Sequence, residues 1–159
     1  MFFPGEDSAS YESLRDALLY DFAPQTAYER LLVEDLVNLE WEKVRHRRLR
    51  DQLIRNAARQ QAIRAFDSNR GPFGFLEDTP PEAKLRAEEF VGADATLRPE
   101  AVAALQEMGQ DPGEIMALAY KAVGESVAVH ERKLHEIEGR RRKLIRDLED
   151  LRASNAKVV

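Results

Sequence analysis

The sequence predicts an all-α fold: a long antiparallel helical hairpin, coiled-coil-like in its packing, with a short N-terminal helix and a small acidic helical insert at the turn. Three observations carry this reading. No proline or glycine interrupts the chain between Thr26 and Phe66, apolar residues recur at alternating steps of four and three across five heptads near the C-terminus, and charge is organised in blocks. A seam of that period marks helices packed side by side.

Ser8 or Ser10 is placed to cap a first helix through Leu14, Leu18 and Leu19 towards Phe22, which Pro24 ends. Thr26-Ala27-Tyr28-Glu29 fits a capping box: the Thr hydroxyl accepts from the third backbone N–H and the Glu reaches back to the cap. The long helix this opens is expected to run from Thr26 to Phe66. Its apolar face comprises Leu32, Val33, Leu36, Val37, Leu39, Trp41 and Val44, and resumes with Leu49, Leu53, Ile54, Ala57 and Ile63.

Asp67-Ser68-Asn69-Arg70-Gly71-Pro72 breaks that helix, and Phe73-Gly74-Phe75 supplies an aromatic loop. Two short helices follow, one from Pro81 to a stop at Gly92, the other from Pro99 through Val102 and Leu105 to a stop at Gly109. Asp111-Pro112-Gly113-Glu114 opens the last helix with an acidic cap and a proline at its first position. From Met116 its seam runs through Tyr120, Val123, Val127, His130, Leu134, Ile137, Arg141, Leu144, Leu148 and Leu151. Gly124 and Gly139 lie off it, where each costs about 1 kcal/mol without breaking the helix.

A chain of 159 residues is sized for one domain, divided as 1–24 (N-terminal helix), 25–66 (long helix), 67–111 (insert) and 112–155 (long helix). Hydrophobic residues at 43% exclude a disordered chain, and charged residues at 33% suit long helices flanked by solvent. The absence of cysteine excludes disulfides, thiolate nucleophiles and Cys-ligated metals. The first residues lack a basic and apolar leader, and no run reaches the roughly 18 apolar residues of a membrane span. A cytoplasmic location is therefore expected.

Net charge is −5, distributed as −4 over 1–25, −4 over 26–42, +7 over 43–64, −7 over 67–125 and +3 over 126–159. Setting Phe66 beside Pro112 and counting outward brings Glu34, Asp35 and Glu40 near Arg140, Arg141, Arg142 and Lys143. The same register brings Arg45, Arg47 and Arg48 near Glu131, Glu136 and Glu138. Exposed ion pairs are worth about 0–1 kcal/mol each, so such a pattern would set orientation and register more than stability.

Few residues suggest chemistry. Of the three histidines, His130 and His135 are five apart and do not share a helix face, whereas Glu131 and His135 do; one such pair defines no metal site. His130 reads as a polar residue of the seam that helps set register. Carboxylates form no catalytic constellation, and there is no phosphate loop or nucleophile-base pattern, so no enzyme activity, cofactor or small-molecule substrate is expected. Trp41, at helical spacing with Val37 and Val44, reads as a core anchor. The basic stretch holding Lys43, Arg45, Arg48, Arg55, Arg59 and Arg64 is the candidate phosphate-binding surface. Against that stand a pI near 5.3 and the lack of interleaved aromatics for base stacking.

Pro4-Gly5-Glu6-Asp7 followed by Tyr11, the Val33-Glu34-Asp35-Leu36-Val37-Asn38-Leu39-Glu40-Trp41-Glu42-Lys43-Val44-Arg45-His46-Arg47-Arg48-Leu49 core, and Glu138-Gly139-Arg140-Arg141-Arg142-Lys143-Leu144-Ile145-Arg146-Asp147-Leu148-Glu149 together resemble a widespread family of uncharacterised bacterial helical proteins, common in alphaproteobacteria. The likeness covers most of the chain outside the insert and implies a helical fold but no activity. Longer members carry a basic Gly/Pro-rich arm ahead of the Pro-Gly-Glu-Asp, loosely similar to phage terminase small subunits. No DNA-contacting role through that arm is carried over to this chain.

The function expected from these readings is a non-catalytic interaction or scaffold protein, acting through self-association as a homo-oligomer or through docking of a protein partner. The alternative is a DNA-associated accessory protein of a phage or mobile element that uses residues 43–64.

Overall fold

A computed structural model describes residues 3–67 and 80–156, and every regular element among them is helical. The elements are α1 (Ser8–Phe22), α2 (Ala27–Phe66), α3 (Pro81–Val91), α4 (Arg98–Glu107) and α5 (Pro112–Ala156). The expected all-α hairpin is the observed fold, with α2 and α5 as its antiparallel arms. The break around Gly71-Pro72 and the Phe73-Gly74-Phe75 loop lie outside the described residues.

Local chemistry explains the helix ends. Asp7, rather than either serine, caps α1: its carboxylate accepts from the N–H of Ala9 at 3.1 Å and of Ser10 at 3.0 Å, and from the Ser10 hydroxyl at 2.7 Å. A carboxylate offers two acceptor oxygens and a full charge to the positive end of the helix, which a serine cannot match. Ala23, left-handed at φ 39°, closes α1 through its N–H to Leu19 O. At the start of α2, Thr26 Oγ1 accepts from Glu29 N–H at 3.1 Å, as the capping box requires, but Glu29 reaches one residue further back, to Gln25 N–H at 2.9 Å. Gly92 ends α3 with its N–H on Glu88 O, where a side-chain Cβ would lie 2.5 Å from that same oxygen. Gly109, at φ 72°, ends α4 in the left-handed region that glycine enters without strain.

The chain divides into two compact units, residues 1–48 with 130–159 and residues 49–129, so each long helix contributes a part to both. In the first unit, the buried core comprises Val33, Leu36, Val37, Leu39 and Trp41 of α2 with Ile137 and Leu148 of α5. Helix α1 lays the half-buried Leu14, Leu18, Leu19 and Phe22 on this unit but buries none of its residues completely. The antiparallel order is visible in the pairs that link the helices: Glu29 with Arg152, Glu40 with Arg141, Lys43 with Glu138, and His46 with His130.

In the second unit, Ala62, Ala87, Phe90, Ala101, Leu105 and Ile115 form one buried cluster. The sequence reading placed Leu49, Leu53, Ile54, Ala57 and Ile63 on this part of α2; the fully buried positions are instead Ala58 and Ala62, while Leu49 is exposed. Three helices contribute alanine to this core, because small side chains allow backbones to approach closely while Phe90 and Leu105 fill the remaining volume.

Candidate functional site

The basic stretch is the surface to which the sequence assigns phosphate binding, and its members differ in environment. Lys43 is drawn to Glu40 at 3.2 Å and Glu138 at 3.6 Å. Arg45 turns to the N-terminal loop, where its Nε and Nη2 donate to Glu6 at 2.5 and 2.9 Å and its guanidinium lies 4.3 Å from the centre of the Phe3 ring. Arg59 is bound to Glu88 of α3 at 2.7 Å. Arg48, Arg55 and Arg64 are exposed; Arg48 lies 5.9 Å from the Trp41 ring centre. Half of the six residues are thus engaged with carboxylates of the chain itself.

The charge register is kept in part in the first unit: Lys43 meets Glu138, and Asp35 lines one cleft with Arg140 and Lys143. Of the acids assigned to the α5 arginines, Glu40 does meet Arg141, but Glu34 pairs with Arg15 of α1 at 2.7 Å. Arg45 pairs with Glu6, and Glu136 and Glu138 have basic neighbours on their own helix, Lys133, Arg141 and Arg142. Partners at i, i+3 and i, i+4 are available because such residues are neighbours on one helix face, and they stand beside the cross-helix pairs. The N-terminal segment, invisible to a two-helix register, takes Arg45 and Glu34.

Around Trp41 the structure builds a polar-aromatic cluster. The indole is buried, Tyr11 meets it edge-to-face at 5.5 Å and 87°, and its Nε1 donates to Glu6 Oε2 at 3.3 Å. Hydrogen bonding to Arg45, aided by the Phe3 and Trp41 N–H donors, lowers the Glu6 pKa to about 2 against the opposing effect of burial. Tyr11 also donates its hydroxyl to Asn38 Oδ1 at 3.0 Å. Sequence reasoning found Trp41 and missed Glu6; the adjacency of an acidic N-terminal motif and an Arg-rich helix was the available signal.

Along the α5 seam, Val127, Ile137 and Leu148 are buried, and Val123, His130, Leu134, Arg141, Leu144 and Leu151 are half-buried. Tyr120 departs from the seam: it is exposed, and Ala119, one residue earlier, is fully buried in its place. A narrow alanine satisfies the tight helix contacts of the second unit, where a tyrosine would not fit.

At His46 and His130 the two long helices join through their imidazoles, with the Nδ1 atoms 2.9 Å apart. Burial, and then the neighbouring His130, lower the His46 pKa. His135 is exposed, and no group of three or more metal-ligating side chains occurs among the described residues. In the second unit, a cleft of about 590 Å³ is walled by Ile54, Ala58, Phe90 and Met116, with Arg55 and Arg98 at its margin. The Arg98 guanidinium is held by the carbonyl oxygens of Phe90 at 3.2 Å and Gly92 at 3.3 Å.

No helix among the described residues is long and apolar enough to cross a membrane. Comparison with family models, with curated proteins and with solved structures returned no match.

Proposed function

We propose that the chain is a non-catalytic interaction protein whose helical frame presents exposed apolar side chains to a second copy or a protein partner. The observation that carries this reading is the use of the α5 seam within the chain. Because Val127, Ile137 and Leu148 are already buried, association must draw on other residues. Tyr28 and Leu31, one turn apart on α2 and 60% and 62% exposed, are such residues, and in the second unit Leu85 of α3 is 60% exposed. Large apolar side chains left in water on an otherwise satisfied frame mark surfaces that gain by being covered. The likeness to bacterial helical proteins is compatible with this reading and adds no activity to it.

The alternative, a DNA-associated accessory protein of a phage or mobile element, is supported by Arg48, Arg55 and Arg64, which remain exposed on α2. Light scattering on the purified chain, with and without a short mixed-sequence duplex at about 0.1 M salt, separates the two. A mass above one chain that ignores DNA and reverts in Tyr28→Glu/Leu31→Glu supports self-association. A monomer indifferent to DNA leaves only a protein partner within the interaction reading. A mass shift that requires DNA, weakens steeply with salt and is lost in Arg55→Glu/Arg64→Glu overturns that reading in favour of the alternative.

A further inference from the structure

We propose that His46 and His130 form a proton-sensitive clasp between α2 and α5, closed while at least one imidazole is neutral and opened when both are protonated. Two Nδ1 atoms 2.9 Å apart share one proton: one ring donates N–H and the other must present a lone pair. The rings lie 5.2 Å apart and tilted at 51°, so they are not stacked in parallel. One proton added to the pair is tolerated, since an imidazolium still donates to a neutral imidazole. A second removes the only acceptor and sets two like charges against each other in a half-buried site.

The surrounding charges mostly resist the second proton while the clasp is closed. On α2, Glu42 supports protonation of His46 while Arg45 opposes it; on α5, Lys133 and His130 oppose it. Arg45 is itself committed to Glu6, and Lys133 is bound to Glu136 at 2.7 Å, so both cations are held near their present places. The unfolded chain has neither burial nor this crowding, so it takes up protons that the folded pair resists. With the folded pKa of His46 depressed, the stability contributed by the pair is present above the ordinary imidazole pKa and is lost as pH falls through and below it.

The test is urea unfolding of the full chain between about pH 7.5 and 5, the range in which unperturbed imidazoles titrate, together with nitrogen-detected NMR titration of the three histidine rings. The expected result is a folding equilibrium constant that falls towards about tenfold per pH unit on the acid side, as one extra proton bound by the unfolded chain requires. His46→Gln/His130→Gln, which keeps polar side chains of similar reach without a titratable ring, should flatten that dependence, and His135→Gln should leave it unchanged. An equal pH dependence in the double variant would overturn the clasp, as would His46 titrating together with His135 in the parent chain. Should the double variant not fold, the ring titrations of the parent chain decide the matter: His46 titrating well below His135 supports the clasp.

Discussion

Glu6 and Arg45, 39 residues apart in the chain, form a two-pronged ion pair that pins the N-terminal loop to the middle of α2. The same carboxylate takes the Trp41 indole N–H and the Phe3 backbone N–H, so one side chain satisfies donors from three other residues. The Pro4-Gly5-Glu6-Asp7 motif therefore ties the N-terminal segment to the first unit: the half-buried Glu6 bonds to Trp41 and Arg45, and Asp7 starts α1. Glu6→Ala is expected to cost about 1–3 kcal/mol in urea unfolding, because it removes a charged acceptor shared by the guanidinium and indole donors. It should also shift Trp41 fluorescence towards that of a solvated indole. An unchanged spectrum and midpoint would show that Glu6 does not hold the segment to Trp41.

The same pair gives a pH dependence of known sign. Glu6 has a pKa of about 2 in the fold, against an ordinary value of 4.5. A carboxyl depressed on folding contributes stability that is fully present above the ordinary value and is lost as pH falls from there towards 2. Acid unfolding of the parent chain followed by Trp41 fluorescence should steepen in that range, and Glu6→Gln should lack that component. The window lies below that of the histidine clasp, so the two effects separate.

Glu29 is the only buried charged residue among those described, and Arg152 of α5 meets it at 3.2 Å while also donating to Phe22 O. Arg152→Met should destabilise the first unit by about 1–2 kcal/mol. That is less than the 3–5 kcal/mol of breaking a fully buried pair, because Arg152 is partly exposed and solvent screens it. Adding Glu29→Gln should recover part of the loss, since an amide oxygen can still accept from Gln25 N–H without an unpaired charge. Denaturant midpoints of the single and double variants measure the coupling.

The displaced seam at the start of α5 predicts opposite outcomes for adjacent residues. Tyr120→Ser should leave stability within about 0.5 kcal/mol, as expected of an exposed position. Ala119→Leu should cost about 1–3 kcal/mol by overpacking a fully buried site. Thermal unfolding by circular dichroism distinguishes them, and equal effects would restore Tyr120 to the packed face.

Further along α5, Leu134→Asp with Leu144→Asp places two charges on the half-buried seam opposite α2. Lost helicity and a lowered melting temperature are expected even in a monomer, since these residues pack within the chain. A variant as helical and stable as the parent would show that the seam does not hold the hairpin.

The sequence by itself determined the helical class, the two long arms and the approximate ends of all five helices. Those features depend on neighbours a few residues away: the absence of breakers between Thr26 and Phe66, the prolines at positions 81, 99 and 112, and the caps at Thr26 and Asp111. Trp41 was legible as an anchor for the same reason, since its spacing with Val37 places it on the apolar face. The tertiary structure alone decided which partners those helices take. A two-helix register looked for partners of Arg45 only on α5, and the N-terminal loop brings Glu6 to it in a bidentate geometry. Apolar period likewise nominated the bulkier Leu53 and Ile54, whereas close approach of α3, α4 and α5 selected Ala58 and Ala62. Helix formation is governed by local spacing, but pairing depends on distances between residues far apart in the chain, and those exist only once the helices have packed.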